Sequence, residues 1–353
     1  MKHHKGKRRV SNKGFIKICK LSQKELRSYL ISELAKYYDE VIKEDGFVYV
    51  KGNDKIALTA HMDTTPRVEY GKRKKVKEVY EYVEKGKTIV HSPQGIGGDD
   101  RCGVYMIMEI LKRTELRPTI VFCEDEEIGC VGSSKFTKTD YIKDLSDMYF
   151  IIELDRRGSN DIVFYDDANE DFHKYVAEVT EYVEEWGSCS DISYLCPDCG
   201  VAGVNISCGY YDEHHMYETV VLEEMERTLN TTIKLIKDGL EKGVQYEYIE
   251  KVYGRWGLYD YNGTYRYDYG NSYWNDEYWS GKSTNSHIYG ETYYLQVEFD
   301  NRYGDCGDDV FEGDSIADVW YQFFSSHPNL KMENVTDYIE WTEDEFKKAE
   351  GER

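Results

Sequence analysis

The sequence predicts an α/β fold with a mostly parallel central sheet and helices on both faces. Helical and strand patterns alternate between residues 15 and 245, which is the order of a layered α/β protein. The strand segments are short apolar runs, as expected for strands that are covered on both faces. Several of these runs lead into acidic residues or histidines, and the ligand sites of such sheets lie at the carboxyl ends of the strands.

Two periodicities define the elements. Helices are predicted where apolar residues recur every three or four positions, and strands where β-branched and aromatic residues run together. Ser22 and Glu25 have the spacing of a capping box at the start of the first helix. The predicted strands are 47–50, 56–60, 119–123, 148–152, 162–164 and 201–206, and the predicted helices are 21–42, 101–113, 138–145, 170–184 and 218–242. A turn joins the first two strands, and residues 66–90 are predicted to be a solvated hairpin or loop.

Composition divides the chain into three parts. Residues 1–14 are basic and are predicted to be a disordered tail, residues 15–245 carry the α/β pattern, and residues 246–353 are rich in Tyr and Trp. We expect the last part to be a small α+β or mainly β region. Its predicted elements are strands near 291–300 and 336–341 and a helix near 315–324. A sheet packed on its neighbour is favoured over a surface for a partner or carbohydrate, because biased composition alone does not define a binding site.

Charge and cysteine usage bound the function. The formal net charge is −22, which argues against nucleic acid and membranes as partners. No apolar run reaches the length of a membrane span, and no export signal follows the basic amino terminus. The nine cysteines are scattered and odd in number, which is typical of reduced thiols. We therefore expect a cytoplasmic protein, and its oligomeric state stays open.

Chemistry-bearing residues follow the predicted strands: His61, Asp63, Asp99, Asp100, Glu126, Glu127, Asp155 and His214. Histidine nitrogen and carboxylate oxygen suit Zn²⁺, Mn²⁺ or Co²⁺. Two histidines and three carboxylates can hold two ions about 3.5–4 Å apart when one carboxylate bridges them. A further carboxylate could then act as general base, and Asp63 could orient His61.

Each of these residue patterns, taken alone, has an ordinary structural explanation. An acidic run such as 124–127 is usually a solvated loop. The Gly-Gly-Asp-Asp turn at 97–100 suits the start of a helix, and His214 with His215 could be a surface pair. The prediction of a metal site depends on the order and placement of the pieces, since each follows a predicted strand.

These residues resemble the co-catalytic zinc exopeptidases, which include peptidase T, related carboxypeptidases and acyl-amino-acid deacylases, and zinc aminopeptidases. The resemblance covers roughly residues 45–240. The matching motifs are His61-Met62-Asp63-Thr64-Thr65-Pro66, Gly98-Asp99-Asp100-Arg101-Cys102-Gly103, Asp125-Glu126-Glu127-Ile128-Gly129, Asp155 and His214-x-x-x-Glu218.

The resemblance implies a role for each matching residue. The implied metal ligands are His61, Asp99, Glu127, Asp155 and His214, with Asp99 shared by two ions that are most simply zinc, with cobalt or manganese as alternatives. Glu126 would be the general base for a hydroxide that bridges the metals. Asp63 would hold the first histidine, and Asp100 would lie behind the ligands.

One departure from this resemblance concerns the lid. Peptidase T and its close relatives carry a second domain between the Asp and the final His, whereas only residues 156–213 separate Asp155 from His214 here. That lid often supplies dimer contacts and a histidine for the oxyanion. Tyr210 or Tyr211 could supply a substitute donor. Lidless members exist among the aminopeptidases, so activity is still expected.

Four cysteines lie close together in sequence: Cys189, Cys196, Cys199 and Cys208. Four thiolates can bind a structural zinc ion. Their spacing is not a familiar one for such a site, so plain buried or loop thiols are favoured.

The sequence favours a dinuclear metal-dependent exopeptidase, and within that class an aminopeptidase for short peptides. An N-acyl-amino-acid deacylase or amidase on the same site stays open. So does a catalytically weak binding protein that uses the aromatic carboxyl-terminal region. The presence of Glu126 argues for an enzyme, since a protein that only binds has no use for a general base.

Overall fold

The computed structural model describes residues 13–65 and 75–251, backbone at 68–69 and 72–73, and parts of the carboxyl-terminal region. Its helices are α1 (Lys13–Cys19), α2 (Gln23–Leu34), α3 (Gly98–Arg113), α4 (Val131–Phe136), α5 (Ile142–Leu145), α6 (Glu170–Thr180), α7 (Ile192–Cys199) and α8 (Leu222–Lys242). Its strands are β1 (Ile42–Glu44), β2 (Phe47–Val50), β3 (Ile56–His61), β4 (Val68–Glu69), β5 (Lys72–Arg73), β6 (Tyr80–Glu84), β7 (Lys87–His91), β8 (Thr119–Cys123), β9 (Phe150–Arg156), β10 (Asp161–Val163), β11 (Val183–Glu184), β12 (Gly203–Ser207), β13 (Tyr210–Tyr211), β14 (Thr219–Val221), β15 (Tyr293–Asp300), β16 (Cys306–Gly313) and β17 (Val335–Thr342).

An eight-stranded sheet forms the centre of the α/β part. The strand order is β1-β2-β8-β3-β9-β12-β10-β11. The central strands β8, β3, β9 and β12 run parallel to one another, and antiparallel pairs occur toward both edges. This mostly parallel centre, with helices on both faces, confirms the predicted fold class.

Alternate side chains of the central strands enter two cores. Ile120 and Phe122 of β8 lie in a core with α1, α2, α3, α6 and α8, while Val121 and Cys123 lie in a core with α4, α5 and α7. The alternation follows from the period of two in a strand. Because helices cover both faces, β8 is buried along its whole length, which explains why the strand appears as an unbroken apolar run.

A second sheet lies beside the start of α3. Its four strands have the order β13-β14-β7-β6, and β6 with β7 forms the hairpin expected within residues 66–90. Strand β14 pairs antiparallel with β7. The segment between β13 and β14 carries His214, so this sheet positions the last predicted metal ligand.

The amino-terminal helices agree with the prediction in part. Ser22 and Glu25 form the predicted capping box at the start of α2. Helix α1 was not predicted, and it begins at Lys13, within the segment 1–14 that is predicted as a tail. Phe15 of α1 is fully buried, so this turn of helix belongs to the core. Residues 1–12 lie outside the described residues.

Several predicted boundaries are wrong for identifiable reasons. Strand β8 lies between β2 and β3, so these two consecutive strands do not form a hairpin. Strand β9 continues to Arg156, which places Asp155 inside the strand. Helix α6 ends at Thr180 because Glu181 adopts a left-handed backbone with φ of 62°. Helix α8 begins only at Leu222, because the preceding residues pair with β7. The predicted helix 138–145 is the shorter α5.

The carboxyl-terminal region contributes a separate antiparallel sheet of order β16-β15-β17. Two of its strands confirm the predicted strands at 291–300 and 336–341. The α/β part extends a little beyond residue 245, since Tyr246 is buried in the main core. The predicted helix at 315–324 and the aromatic segment 252–292 lie wholly or mostly outside the described residues. No helix in the described part is long and apolar enough to cross a membrane.

Candidate metal centre

The five predicted ligands meet at the carboxyl ends of the central strands. His61 is the last residue of β3, Asp155 lies near the end of β9, and Glu127 follows β8. Asp99 lies at the start of α3 and His214 lies between β13 and β14. Because β8, β3 and β9 are neighbours in the sheet, their ends gather residues that are distant in sequence.

Asp99 lies between the two histidines. Its Oδ1 is 2.9 Å from His61 Nε2, and its Oδ2 is 3.2 Å from His214 Nε2. Asp155 Oδ1 is 3.3 Å from His61 Nε2, and Glu127 Oε2 is 3.0 Å from His214 Nε2. The cluster therefore has two halves that share one carboxylate, which is the grouping that the resemblance implies.

Asp63 orients both a histidine and the acidic segment after β8. Its Oδ1 lies 3.2 Å from His61 Nδ1, which leaves the other ring nitrogen directed at Asp99. The same carboxylate accepts backbone hydrogen bonds from Glu126 at 3.0 Å and Glu127 at 3.1 Å. One buried side chain thus fixes the relative position of the histidine and the acidic segment.

Two hydroxyl groups hold two further ligands. Thr65 donates from Oγ1 to Glu127 Oε1 at 2.9 Å. Ser190 donates from Oγ to Asp155 Oδ2 at 3.0 Å. The sequence reasoning missed both contacts. Thr65 belongs to the motif at residues 61–66, which could have indicated its role, whereas nothing in the sequence around Ser190 indicates one.

Glu218 fixes the backbone at the shared carboxylate. It is buried and accepts hydrogen bonds from the backbone nitrogens of Gly97 at 2.7 Å and Asp99 at 2.9 Å. It ends the motif His214-x-x-x-Glu218, although the sequence pattern predicts that it begins a helix. Its carboxylate instead binds the start of α3, where backbone nitrogens lack partners within the helix.

The Glu126 carboxylate faces the cluster of candidate ligands but belongs to neither of its two halves. Its Oε2 lies 3.9 Å from His61 Nε2, and its Oε1 accepts a hydrogen bond from the Cys130 thiol at 3.5 Å. Burial raises the pKa of Glu126 well above its usual value; His61 opposes this shift, and the charges of Asp155 and Asp191 add to it. A carboxylate with a raised pKa is a better proton acceptor once it is ionised.

Asp100 lies behind the ligands, bound to backbone. Its Oδ2 accepts a hydrogen bond from the His61 backbone nitrogen at 3.2 Å, and its Oδ1 accepts one from Gly103 at 2.8 Å. Burial raises the pKa of Asp100, and the charge of Asp155 adds to this shift. The placement agrees with the role that the resemblance implies.

The donor set fits divalent cations. Ligand atoms of His61, Asp99 and Glu127 lie within 4.8 Å of one another, as do those of His61, Asp100 and Asp155. Imidazole nitrogen with carboxylate oxygen is a donor set for zinc, manganese or cobalt. Among the described residues, the ion pairs of the ligand carboxylates are with the two histidines. Cations at this place would offset the repulsion among the buried acids.

The two halves differ in access to solvent. The His61 side chain is 1% exposed, whereas the His214 side chain is 36% exposed. The His214 backbone is left-handed, with φ of 67°, a conformation that costs energy for a residue with a Cβ and often marks a functional segment. A substrate would therefore approach from the His214 side.

The two tyrosines proposed as oxyanion donors have different surroundings. Tyr210 is buried, and its hydroxyl donates to the Asp155 carbonyl oxygen at 3.1 Å. The Tyr211 hydroxyl donates to Glu224 Oε2 on α8 at 2.6 Å. The geometry therefore places Tyr210 at the cluster and directs Tyr211 away from it.

The four cysteines considered for a structural zinc site have different surroundings. Cys196 and Cys199 are buried in α7, where the Cys199 thiol donates to the Cys196 carbonyl oxygen at 3.6 Å. Cys208 is buried, and Cys189 is exposed. The potential metal-binding groups within the described part of the chain include no cysteine.

A parallel sheet whose strand ends gather two histidines around a shared carboxylate suits a metal-dependent hydrolase. Residues 48–191 match the model of peptidase family M28. With this match the chain is identified as a metal-dependent peptidase, and the resemblance to zinc exopeptidases is confirmed. His214 lies beyond the matched residues, so its place in the site comes from the structure.

The solved structures that are similar to this chain include several peptidases. The PepT aminopeptidase of Bacillus cereus is 14% identical, with a TM-score of 0.50 over 64% of this chain and 96% of that chain. An aminopeptidase of the archaeon Desulfurococcus kamchatkensis is 16% identical, with a TM-score of 0.48 over 64% of this chain and 94% of that one. A tripeptidase of Staphylococcus aureus is 12% identical, with a TM-score of 0.47 over 65% and 97%. No curated protein matches the chain.

Proposed function

We propose that this protein is an aminopeptidase that hydrolyses short peptides with two divalent metal ions, zinc first, with cobalt or manganese as alternatives. The observation that carries the proposal is the position of Asp99. Each of its two carboxylate oxygens lies close to one histidine, at 2.9 Å from His61 and 3.2 Å from His214. A carboxylate so placed can be shared by two ions, which dinuclear hydrolases require.

The residues of the chain supply the proton transfers. Bound ions would lower the pKa of a water molecule and polarise the peptide carbonyl. Glu126 would accept the proton of that water and pass it to the leaving amine. Its carboxylate faces the ligands, and the hydrogen bond from its backbone nitrogen to Asp63 keeps it in place.

The charge of the site supports a substrate with a free amino terminus. Carboxylates that are buried or nearly buried lie around the two histidines: Asp63, Asp99, Glu126, Glu127 and Asp155. Even with two divalent ions bound, such a site favours a cationic group over an anionic one. An aminopeptidase substrate carries its ammonium group on the residue that precedes the scissile bond.

The deacylase alternative requires a cation for the free carboxylate of an N-acyl amino acid. Arg157 lies near the His214 segment, but it is paired with Glu213 of that segment. The pairing makes it a weaker anchor for a substrate carboxylate. The proposal therefore favours a free amino terminus, and the deacylase reading becomes an outcome of the test.

A matched pair of substrates tests the proposal. Zinc-loaded protein is incubated with Leu-Gly-Gly and with N-acetyl-Leu-Gly-Gly, and products are separated by chromatography. We expect leucine to be released from the free peptide only, and the Glu126→Gln variant to release it far more slowly. N-acetyl-leucine is incubated in parallel, and acetate release from it would favour the deacylase. Failure to cleave any of these substrates would favour a binding protein that uses its aromatic carboxyl-terminal region.

We also propose that the protein works in the cytoplasm. The odd number of cysteines, nine, and their scattered positions support a reducing compartment. Fractionation of cells that express the protein would test this, and recovery outside the cytoplasmic fraction would contradict it.

A further inference from the structure

A small cavity of about 30 Å³ lies between α7 and the central sheet. The described residues that line it come from the segment 164–167 after β10, from α7, from Gly203 at the start of β12 and from Tyr248. None of the five candidate metal ligands is among them. The cavity is therefore separate from the candidate metal centre, and the proposed peptide hydrolysis does not use it.

Asp167 brings a carboxylate oxygen without a partner to the cavity wall. The residue is 2% exposed. Its Oδ1 accepts hydrogen bonds from the backbone nitrogens of Asn169 at 2.9 Å and Ile249 at 3.1 Å. Its Oδ2 is buried and, in the part of the chain that the structure describes, accepts no hydrogen bond. A buried carboxylate oxygen in this state costs free energy, so the wall calls for a positive group.

The wall itself does not supply that group. The described side chains that line the cavity include two acids, Asp166 and Asp167, and no lysine, arginine or histidine. Burial raises the pKa of Asp167, and the hydrogen bonds from Asn169 and Ile249 oppose this shift. A water molecule could donate to Oδ2 but would leave the buried charge uncompensated. A cation would compensate it.

Size and donor set select the class of cation. A water molecule needs about 10–15 Å³ of such space, so the cavity has room for one or two species of that size and excludes organic ligands. Calcium takes six to eight oxygens, and magnesium keeps several of its waters. Neither suits this volume. The wall offers one carboxylate oxygen together with hydroxyl groups of Tyr165, Ser193 and Tyr248, which suits a single monovalent cation.

Two short series of contacts lead from the cavity wall to Asp155. Ser193 Oγ accepts a hydrogen bond from the backbone nitrogen of Ser190 at 3.1 Å, and Ser190 Oγ donates to Asp155 Oδ2 at 3.0 Å. The Tyr165 hydroxyl accepts from Asn205 Nδ2 at 2.8 Å, and Asn205 Oδ1 accepts from the backbone nitrogen of Asp155 at 2.9 Å. Both the side chain and the backbone of this candidate ligand are thus held by residues that contact the wall.

We propose that this cavity binds one monovalent cation, such as potassium, at Asp167 Oδ2, and that the bound cation steadies the residues that hold Asp155. Outer contacts of this kind orient a metal ligand and tune its affinity. The cation site is distinct from the site of the two divalent ions. Its occupancy is read from unfolding and from zinc affinity, so its test does not depend on the proposed peptidase activity.

A potassium titration tests the site. Zinc-loaded full-length protein in choline chloride, whose cation is too large for the cavity, receives potassium chloride at constant ionic strength. We expect the midpoint of thermal unfolding to rise by about 3 °C at ten times the dissociation constant and then to level off. Asp167→Asn should show no rise. Asp171→Asn, which removes an exposed acid of α6, is the matched control and should respond as the parent does.

The behaviour of Asp167→Asn in choline separates cation binding from a structural role. The variant keeps the size of the side chain and removes the uncompensated charge, so we expect it to be at least as stable as the parent without potassium. A midpoint lowered equally in both salts would mean that Asp167 serves only its two backbone contacts, and would overturn the site. A parent protein that does not respond to potassium would also overturn it.

A crystal of the parent protein grown with thallous ion, which substitutes for potassium, tests the site without any variant. An anomalous peak beside Asp167 Oδ2 supports the proposal, and a water molecule only, or no peak, overturns it. Competition with a chelator then tests the effect on Asp155. We expect zinc to bind about tenfold more tightly in potassium than in choline, and this difference to vanish in Asp167→Asn. Equal zinc affinity in both salts would overturn the coupling to Asp155.

Discussion

At the scale of single residues, the site divides its work between groups that face the substrate and groups that hold them. Asp63 holds His61 and Thr65 holds Glu127, each through a contact of 3.2 Å or less. Such outer contacts fix the orientation of metal ligands and tune their affinity. Glu126 differs, because in the described part of the chain its carboxylate accepts no backbone hydrogen bond, and we propose it as the group that moves a proton.

Replacing the base should lower turnover strongly without removing the metals. Glu126→Gln keeps the size of the side chain but cannot accept a proton, so we expect kcat to fall by about 10²–10⁴. Metal analysis of the same variant should still find two ions. Glu124→Gln is the matched control, since Glu124 in the same segment pairs with Arg27 at 2.6 Å. Equal activity of the two variants would remove Glu126 from the mechanism.

The paired tyrosines offer a second comparison at this scale. Tyr210→Phe removes a hydroxyl at the Asp155 side of the cluster, and we expect kcat to fall by about 10²-fold if the hydroxyl serves the oxyanion. Tyr211→Phe removes only the contact with Glu224 and should leave kcat within about threefold of the parent by the same reasoning. Steady-state kinetics with metal analysis checks both. Unchanged kcat in Tyr210→Phe would exclude it as the oxyanion donor.

At the scale of elements, the start of α3 packs tightly against β9. An added Cβ at Gly103 would lie 1.9 Å from the Leu154 carbonyl oxygen and 2.6 Å from both Asp100 carboxylate oxygens. The Leu154 carbonyl group cannot move away without displacing Asp155, which is the next residue of β9. The absence of a side chain at Gly103 therefore allows the helix that carries Asp99 to approach the strand that carries Asp155.

Gly103→Ala should destabilise the protein strongly. Overpacking of this kind costs about 1–3 kcal/mol or more, and urea unfolding would measure the change in the free energy of unfolding. Gly14→Ala is the control, because the nearest atom to an added Cβ there is a Tyr105 ring carbon at 3.4 Å. Similar unfolding curves for the two variants would contradict the packing described for α3.

The sequence was sufficient for elements with local signals and insufficient for those that depend on distant pairing. The Ser22 capping box and the buried runs of β3 and β8 were predictable because neighbouring residues determine them. The insertion of β8 between β2 and β3 was not, since local patterns do not encode strand order. Glu218 was assigned to a helix for the same reason: the pairing of β14 with β7 overrides its helical pattern.

At the scale of the whole molecule, charge links stability to metal binding. The chain carries a formal charge of −22, and the cluster concentrates carboxylates at one edge of the sheet. Ions that bind the folded state stabilise it by an amount that grows with the logarithm of the ion concentration divided by the dissociation constant. The meeting of the candidate ligands at the strand ends could be predicted because five motifs occur in order, whereas the contact of Ser190 with Asp155 could not, since no motif includes Ser190.

Removing the ions should loosen the acidic segment first. After chelation we expect faster amide hydrogen exchange at residues 124–130, because the acids Glu126 and Glu127 then repel one another without a compensating cation. Helix α8, remote from the ligands except at its start, serves as the internal control. Uniform exchange with and without chelator would contradict the view that the ions stabilise this segment.

We propose above that peptide hydrolysis by this chain requires two bound divalent metal ions. The most direct test is release of leucine from Leu-Gly-Gly by metal-free protein as zinc is added stepwise. The account predicts a rate that rises until about two equivalents are bound, as a dinuclear site requires, and then levels off. A rate that stays at zero at every zinc level, or that is full without added metal in chelator-treated buffer, would contradict it.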